Sequence, residues 1–464
     1  MPSVFHGINL ASSALRAFQR GLDITGHNIA NVNTPGYSRQ TLDLTQAYPI
    51  EFWSNGIRSV GQGVTMGSIN RIRDLFLESR RQGTAADAAQ YETLATTVKD
   101  ILGAMQEPGK DGISASLGKF FDSWSALASN PNEAANRLQV QSAGKNLAGK
   151  VRDSWANLDM QETEARTVIN ETISQVNNIA ASISQLNEQI RVQTSTGGEP
   201  NDLLDQRDTL VRQLSTMVNV QTRVNTDGTM SVNVSEQALV DQAGYVPLST
   251  TIDAVAGKIT GGQVDVSLRS GKLAGLIQSV QHIAAAKTQL DTLANNLRTQ
   301  INAAHTTGLN QNNTTNIKFF NDSVNPLPQT GAIDFDLDPA VANDYKNISA
   351  GSTVPFTAGD GSLALSISQL RDMSIAGLSN RSFSQYQSDN INALGSTQSY
   401  FDNALSTQQA MLEQTDAQQE AVSGVNLDEE MANMLRFQRS YQAAAKALTI
   451  FDQVTEDLIG MLRR

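Results

Sequence analysis

Two short motifs in this chain of 464 residues have the spacing used in serine acyl transfer. Ser116 and Lys119 form an S-x-x-K pair, and Ser388 to Asn390 form an S-D-N triplet. Both belong to the signature of penicillin-binding proteins and β-lactamases, which also needs a K-T-G on a strand. The chain contains no K-T-G, and Lys119 borders an aromatic stripe typical of a helix core. We therefore predict no catalytic residue, and an acyl-transferring enzyme is only a minor alternative.

Other residue types that support chemistry lack the partners they need. The four histidines have no metal-ligand spacing, and the absence of cysteine excludes thiolate zinc sites and disulfides. Asp334, Asp336 and Asp338 alternate on one face of a predicted strand, where a solvated surface is favoured over a calcium loop. Gly61 and Gly63 do not begin a dinucleotide fingerprint, because the third glycine falls one residue off. We predict no metal and no cofactor.

The charge and hydropathy of the sequence limit the kinds of partner that we expect for this protein. Lys and Arg number 34 against 46 Asp and Glu, which gives a net charge of −12 without any basic run. Nucleic-acid binding depends on basic patches that neutralise phosphates, so we expect no nucleic-acid partner. No segment approaches 18 consecutive apolar residues, and the N-terminus lacks the apolar core of a signal peptide. We therefore expect neither membrane insertion nor a cleaved signal peptide.

Both ends of the chain carry seven-residue repeats of apolar positions, the pattern of coiled-coil helices. The first repeat covers residues 1–35, and the second covers 426–464 and starts at a predicted cap, Asn426. Neither repeat has another partner nearby in sequence, so we predict that the two helices pair. The N-terminal seam consists of Ile8, Leu15, Phe18, Leu22 and Ile29. The C-terminal seam consists of Leu427, Met434, Phe437, Tyr441, Leu448, Phe451 and Leu458.

A polar, sharply turned segment follows the first helix, within the stretch GHNIANVNTPGYSRQ, residues 26–40. Asparagine side chains bond a turned backbone locally, and Pro35 disfavours helix at the residue before it. Gly36 tolerates backbone dihedrals that other residues resist. We call this segment the knuckle; it consists of Asn31, Asn33, Thr34, Pro35, Gly36 and Tyr37.

Long helical patterns and alternating regions fill the middle of the chain. Residues 41–70 alternate between glycine-containing turns, which predicts a hairpin. A helix predicted to be capped by Asn130 meets no proline from its first turn until Pro200. Alternation around Asp227-Gly228 and in AIDFDLD, residues 332–338, predicts strands. The predicted fold class is mainly α, with paired terminal coiled-coil helices, a long-helix bundle and an inserted β-rich region.

These patterns predict three parts. The first is the terminal helix pair, residues 1–35 with 426–464. The second is a long-helix rod domain, residues 36–215 with 272–310 and 363–425, including the 41–70 hairpin. The third is a β-rich outer region, residues 216–271 and 311–362.

Several segments resemble the axial proteins of the bacterial flagellum, the family of rod, hook and junction subunits. Residues 26–40 are similar to the signature that follows the first helix in that family, with matches that include Gly36 and Tyr37. The stretch PNDLLDQRDTLVRQLS, residues 200–215, and the C-terminal stretch 423–462 resemble the hook-associated members of the family. The resemblance extends over nearly the whole chain.

The resemblance implies a structural subunit that forms the junction between hook and filament and polymerises through its terminal helices. Another axial subunit, of hook or rod, is the alternative, although residues 200–215 and the long helix over 131–195 argue against it. The implied partners are other copies in a ring, the hook protein, a second hook–filament junction protein and an export chaperone. The seams are the implied assembly surfaces, and the C-terminal seam is also the implied chaperone site. The implied location is extracellular, in the flagellum, after export through the flagellar secretion channel.

Overall fold

A computed structural model of the protein describes residues 5–53, 57–253, 258–260, 266–322, 331–352 and 359–462. The predicted fold class is confirmed, because long helices dominate and small sheets lie between them in sequence. The α-helices are α1 Phe5–Ala30, α2 Leu75–Met105, α3 Ile113–Ser129, α4 Ala134–Ser195, α5 Asn201–Met217, α6 Lys272–His305, α7 Pro339–Asn343, α8 Ser362–Gln369, α9 Phe383–Ser423 and α10 Leu427–Leu462. None of these helices carries an apolar stretch long enough to cross a bilayer.

Short strands form four small antiparallel sheets within the described residues. The strands are β1 Gln40–Gln46, β2 Ile50–Trp53, β3 Ile57–Val60, β4 Val64–Arg71, β5 Val220–Val224, β6 Met230–Val234, β7 Gln237–Val240, β8 Thr251–Asp253, β9 Lys258–Thr260 and β10 Val266–Ser267. β1 pairs with β4 from Gln40 opposite Arg71 onward, and β2 pairs with β3 between them. Residues 41–70, predicted as a hairpin, therefore form two nested pairs.

The turn predicted at Asp227-Gly228 joins β5 to β6, and β7 completes a three-stranded meander. Gly228 has a φ of +83°, a conformation that side chains disfavour. The carboxylate of Asp227 accepts hydrogen bonds from the backbone N–H and the hydroxyl of Thr229, at 3.1 and 2.6 Å. The sequence predicted this turn correctly because the hydrogen bonds that stabilise it join residues close together in the chain.

Helix α4 is 62 residues long, which corresponds to about 93 Å at 1.5 Å per residue. Its residues Ile169, Val176, Ile183 and Ile190, seven apart, are each at most 1% exposed. The predicted cap at Asn130 is wrong, because the backbone N–H of Asn130 bonds the Ala126 carbonyl and ends α3. Helix α4 then begins at Ala134, after a turn.

The chain forms two compact units. Unit 1 comprises Met1–Ala85, Val176–Pro247 and Gln409–Arg464, and unit 2 comprises Ala86–Gln175 and Leu248–Gln408. The three predicted parts group the residues differently, since the terminal helices share unit 1 with the strands β1 to β7. Of the predicted ranges, residues 1–4, 54–56, 254–257, 261–265, 323–330, 353–358 and 463–464 lie outside the described residues.

The predicted strand at 332–338 is wrong, and the described part of 311–362 packs into the core of unit 2. Residues 332–338 form a turn and a single bridge between Phe320 and Leu337. Aromatic burial explains this, because the rings of Phe320 and Phe335 lie 4.5 Å apart between centroids. The side-chain amide of Asn302 bonds the backbone of Phe319 and Phe320 in place of a strand partner. The largest fully buried aromatic side chains in this unit are Phe120, Phe121, Trp124, Phe319, Phe320, Phe335 and Phe383.

Candidate functional site

The terminal helices pair antiparallel within unit 1, as predicted, and three contacts define their register. These contacts are Gly7 with Phe451, Gly21 with Phe437, and Asn28 with Glu430. In each contact the two residue numbers add to 458, so the chain directions are opposite. A Cβ on Gly21 would lie 2.9 Å from ring atoms of Phe437, so only glycine allows the ring this close. We call Glu430, Phe437, Ala444 and Phe451, which are spaced by seven, the contact row of α10.

Ile8 and Leu22 of the predicted N-terminal seam lie beside the contact glycines of α1 rather than at their positions. Gly7 precedes Ile8 and Gly21 precedes Leu22, and one residue is about 100° around a helix. The predicted seam residues Ile8, Leu15, Phe18, Leu22 and Ile29 are all half-buried. The reason is steric, because the two phenylalanine rings of the contact row need glycine opposite them. The aliphatic row of α1, which consists of Ile8, Leu15, Leu22 and Ile29, therefore lies on one side of the helix pair.

The predicted C-terminal seam is only partly covered. Met434, Phe437, Leu448 and Phe451 are half-buried. Leu427, Tyr441 and Leu458 are exposed, by 45%, 37% and 40%. Leu458 continues the contact row, and in this register it lies beyond Phe5, the first described residue of α1.

The side chain of Asn28, in the last two turns of α1, connects three segments of unit 1. Its Oδ1 accepts from the Tyr37 hydroxyl at 2.7 Å and from the Gln40 backbone N–H at 3.0 Å. Its Nδ2 donates to the Gln40 carbonyl at 2.9 Å and to the Glu430 carboxylate at 3.1 Å. Burial, followed by nearby carboxylates of which Asp205 is the strongest, raises the pKa of Tyr37, so this hydroxyl remains a donor. The amide thus holds α1, β1 and α10 together.

Arg39 connects the end of the knuckle to the first turn of α10. Its Nε donates to Glu430 and its Nη1 donates to Glu429, both at 2.8 Å. The cap predicted at Asn426 is confirmed, since its Oδ1 accepts from the backbone N–H of Asp428 at 3.0 Å. The acidic residues of this turn therefore meet both the positive end of the helix dipole and an arginine.

The knuckle residues divide into bonded and exposed positions. Asn31 donates to the His27 carbonyl at 3.0 Å and accepts from the Thr34 hydroxyl at 3.1 Å, which closes the end of α1. Gly36 has a φ of +84°, and a Cβ there would collide with the hydroxyl of Thr209. Asn33, Thr34 and Pro35 are exposed. Gly36 is therefore required both by its dihedral angle and by the close approach of α5.

A buried cluster of charged side chains lies next to the knuckle. It is formed by the segment PNDLLDQRD, residues 200–208, and by the end of β4. Asp205 accepts from the Ser38 backbone N–H at 3.2 Å and from Arg71 at 2.7 Å. Asp208 accepts from Arg71 at 2.8 Å and also pairs with Arg73. The cluster anchors the start of β1 on α5.

Glu78 of α2 is the most heavily bonded carboxylate of this cluster. It is 6% exposed and pairs with Arg73 at 2.7 Å and with Arg212 at 2.8 Å. The amide of Gln419 on α9 donates to it at 2.5 Å. Burial raises the pKa of Glu78, but Arg212, Arg73 and Gln419 outweigh burial and hold that pKa at about 2. The carboxylate is therefore charged throughout the neutral range.

The residues first considered for catalysis or metal binding have structural partners. The Ser116 hydroxyl donates to Asn146 at 3.3 Å. Asp334 pairs with Arg298, Asp336 pairs with Arg152, and Asp338 caps α7. Within the described ranges, no three His, Asp or Glu side chains are placed to share a metal ion.

His305, in unit 2, is fully buried as a neutral imidazole. Its Nδ1 lies 2.7 Å from the Ile317 carbonyl, so it carries the proton, and its Nε2 accepts from the Ser349 backbone N–H at 2.9 Å. Burial lowers the pKa of His305 to about 4, the Ile317 carbonyl opposes that shift, and the charge of Arg137 reinforces it. This histidine is a structural element of the core.

Sequence reasoning missed Asn28, Arg39 and Glu430 as individual residues. A usable signal existed for Asn28, because it occupies the same heptad position as Gly7 and Gly21. A polar residue there faces the partner helix and must be bonded once buried.

Comparison with known proteins places this geometry in a family. Family models match three segments: "Flagella basal body rod protein" at residues 8–37, "Flagellar hook-associated protein FlgK helical domain" at 98–320, and "Flagellar basal body rod FlgEFG protein C-terminal" at 418–461. The flagellar hook-associated protein 1 of Bacillus subtilis is 27% identical, over 99% of this chain and 99% of its own length. Over nearly its full length, the chain is similar to flagellar hook-associated protein 1.

Other relatives agree with this family assignment. The flagellar hook-associated protein 1 of Salmonella typhimurium is 25% identical over 98% of this chain and 99% of its own. The flagellar hook junction protein FlgK from Burkholderia pseudomallei has the same fold, with a TM-score of 0.62 at 16% identity. That match covers 74% of this chain and all of the solved chain. These relatives are flagellar proteins, and the likeness assigns the chain to the flagellum, an extracellular appendage.

Proposed function

We propose that the chain is the structural subunit that joins hook to filament and polymerises through its terminal helices. The observation that carries this proposal is the exposed apolar surface of α10, which remains after α1 has packed against it. Met431 and Ile450 are 58% and 62% exposed. Full burial of an exposed side chain of this size contributes about 1.5–3 kcal/mol, and neighbouring subunits could add the part of it that corresponds to the surface still exposed.

A hook or rod subunit is the competing function. The two terminal segments match rod-protein families, so the helix pair alone does not separate the alternatives. The match of residues 98–320 to the helical domain of the hook-associated protein favours the junction. The proposal includes a non-enzymatic role, which the likeness to flagellar proteins favours, and the hydrogen bond of Ser116 to Asn146 supports a structural role for that serine.

The proposed partners are other copies of this chain in a ring, the hook protein, a second junction protein and an export chaperone. The exposed part of the C-terminal seam supports the chaperone, because an amphipathic helix with an uncovered face fits an apolar groove. The proposed route is export through the flagellar secretion channel without a cleaved signal peptide.

We assign the knuckle the role of fixing the angle between the terminal helix pair and the rest of unit 1. The bonds of Asn28 and Arg39 support this assignment, since they connect α1 and α10 to the start of β1. Of the predicted parts, the terminal helix pair is retained as a functional proposal, in which this pair alone polymerises.

The experiment is deletion of the gene followed by complementation and electron microscopy with a labelled antibody. We expect hooks without filaments in the deletion strain and label at the hook tip in the complemented strain. Normal filaments in the deletion strain, or label along the rod or hook, would overturn the junction assignment. Ser116→Ala should leave motility unchanged, and loss of motility with normal export would argue for catalysis.

A further inference from the structure

Unit 2 contains a cavity of about 530 Å³ between the start of α3 and the start of α9. Ligand pockets usually have volumes of about 300–1,000 Å³, so the size suits a small ligand or a short segment of chain. Leu117 and Gly118 of the S-x-x-K segment and Ser388 of the S-D-N segment line this cavity. The hydroxyl of Ser116 instead donates to Asn146. Because Ser388 is exposed, the cavity opens to solvent.

Two buried polar groups in the lining have no hydrogen-bond partner in the described part of the chain. Gln387 is 2% exposed, and its Nε2 is unbonded. The Oγ of Ser114 is also buried and unbonded. Nearly all buried polar groups in folded proteins are bonded, because an unbonded one has lost water without gaining a partner. A ligand in the cavity would supply the missing partners.

Other buried side-chain amides of this chain show which group satisfies an amide of this kind. In three cases the amide oxygen accepts from the backbone N–H of one residue, and the amide nitrogen donates to the carbonyl of that same residue. The bonds are 2.8 to 3.0 Å long and join Asn28 to Gln40, Asn187 to Met230, and Asn302 to Phe320. Gln387 has the same amide group, and its broad terminal torsion lets it turn either end to a ligand.

The rest of the lining favours a neutral segment with an apolar side chain. Leu117 and Ile391 provide apolar surface. The charged residues of the described lining, Glu107 and Arg371, have opposite signs, and Arg371 already pairs with Asp122 at 2.9 Å. The lining therefore has no excess charge that would attract an ion.

We infer that this cavity binds an extended peptide segment. The amide of Gln387 bonds the N–H and C=O of one residue of that segment, and an apolar side chain of the segment packs on Leu117 and Ile391. The inference goes beyond the proposed junction function and does not depend on it, because the residues that carry it belong to unit 2 and not to the terminal helices.

Two glycines allow the cavity to be blocked with a matched control. Gly118 lines the cavity, and a Cβ there would meet no atom within 4 Å beyond its own helical backbone. Leucine is a better helix former than glycine, so Gly118→Leu should occupy cavity space and leave unit 2 folded. Gly149 is also a half-buried helical glycine of unit 2 with no such atom within 4 Å, but it does not line the cavity. Gly149→Leu is therefore the control.

The test is saturation-transfer NMR on the purified full chain with the capped tripeptide acetyl-Ala-Leu-Ala-amide at millimolar concentration. We expect binding to the wild type and to Gly149→Leu, and binding at least about tenfold weaker to Gly118→Leu and Gln387→Leu. N-methylation of the central leucine, which removes its N–H, should weaken binding to the wild type. The melting temperature of Gln387→Leu should not fall, because the amide has no bond to lose.

Three results would overturn the inference. The first is no binding to the wild type, and the second is equal binding to Gly118→Leu and Gly149→Leu. The third is equal binding of isovaleramide, a small amide with a similar apolar body, which would show a site for small amides and not for a peptide. None of these results bears on the junction function, since the purified chain is tested apart from the flagellum.

Discussion

Replacing Asn28 by alanine tests whether this buried amide holds the terminal pair to unit 1. The substitution removes four hydrogen bonds, but two of the partners keep another bond. Tyr37 retains His27 at 3.1 Å, and Glu430 retains Arg39. The backbone N–H and carbonyl of Gln40 lose their bonds to the amide, and each stranded group costs about 1–3 kcal/mol. Allowing for water in part of the gap, we expect local stability to fall by about 3 kcal/mol.

The assay is hydrogen exchange by mass spectrometry on the monomer at neutral pH. A loss of about 3 kcal/mol accelerates exchange through local opening by about 100-fold, in peptides that cover the end of α1, β1 and the first turns of α10. Asn33→Ala is the matched control, because Asn33 is an exposed asparagine of the same knuckle. Exchange that changes by less than a few fold in Asn28→Ala, or equally in both variants, would refute the anchoring role.

Three further predictions concern single side chains. Because its pKa is low in the folded protein, Glu78 stabilises unit 1 by about 3 kcal/mol above pH ~4.5, and this stabilisation is lost as the pH falls towards 2. In Glu78→Gln, the free energy of unfolding measured by denaturant titration should depend less on pH in that range. His305 is buried neutral with its pKa lowered to about 4, so unit 2 should lose up to about 3 kcal/mol as the pH falls from 6.5 to 4. A His305→Gln variant that keeps the wild-type slope in that window would show that another group titrates there. Gly36→Val should cost about 1–3 kcal/mol from its positive φ, beyond the collision with Thr209, and weaken incorporation at the hook tip. Adding Thr209→Ala to Gly36→Ala should restore part of the melting temperature that Gly36→Ala loses. No recovery would argue against the collision.

The parts of the fold that sequence reasoning predicted correctly depend on local signals. The heptads at both termini, the cap at Asn426 and the turn at Asp227-Gly228 are each specified within a few residues. The strand expected at 332–338 fails because its alternation is the same in a strand and in an aromatic turn. Only the distant partners of Phe335 and Asn302 decide between the two, and no local pattern contains them.

The candidate site was predicted at the level of segments and missed at the level of individual contacts. Gly36 and two contact residues of α10, Phe437 and Phe451, were identified, since turns and heptads are visible in sequence. The face of α1 that meets α10 was not, because Gly7 and Gly21 are poor helix formers and do not resemble a seam. Asn28 and Glu430 are 402 positions apart, so their bond is determined only by the register of the pair.

The composition of the helix pair fixes one register between α1 and α10. Inside the pair, glycines receive the rings of Phe437 and Phe451, and a bonded amide closes the end nearest the knuckle. Small residues opposite large ones define one register, because a shift would drive a ring into a side chain. This arrangement uses few aliphatic residues, and it leaves the rows around Leu15 and Met431 on the flanks. The pair is thus held in a fixed register by its small and aromatic residues, while its aliphatic flanks stay partly exposed, as the proposed polymerisation requires.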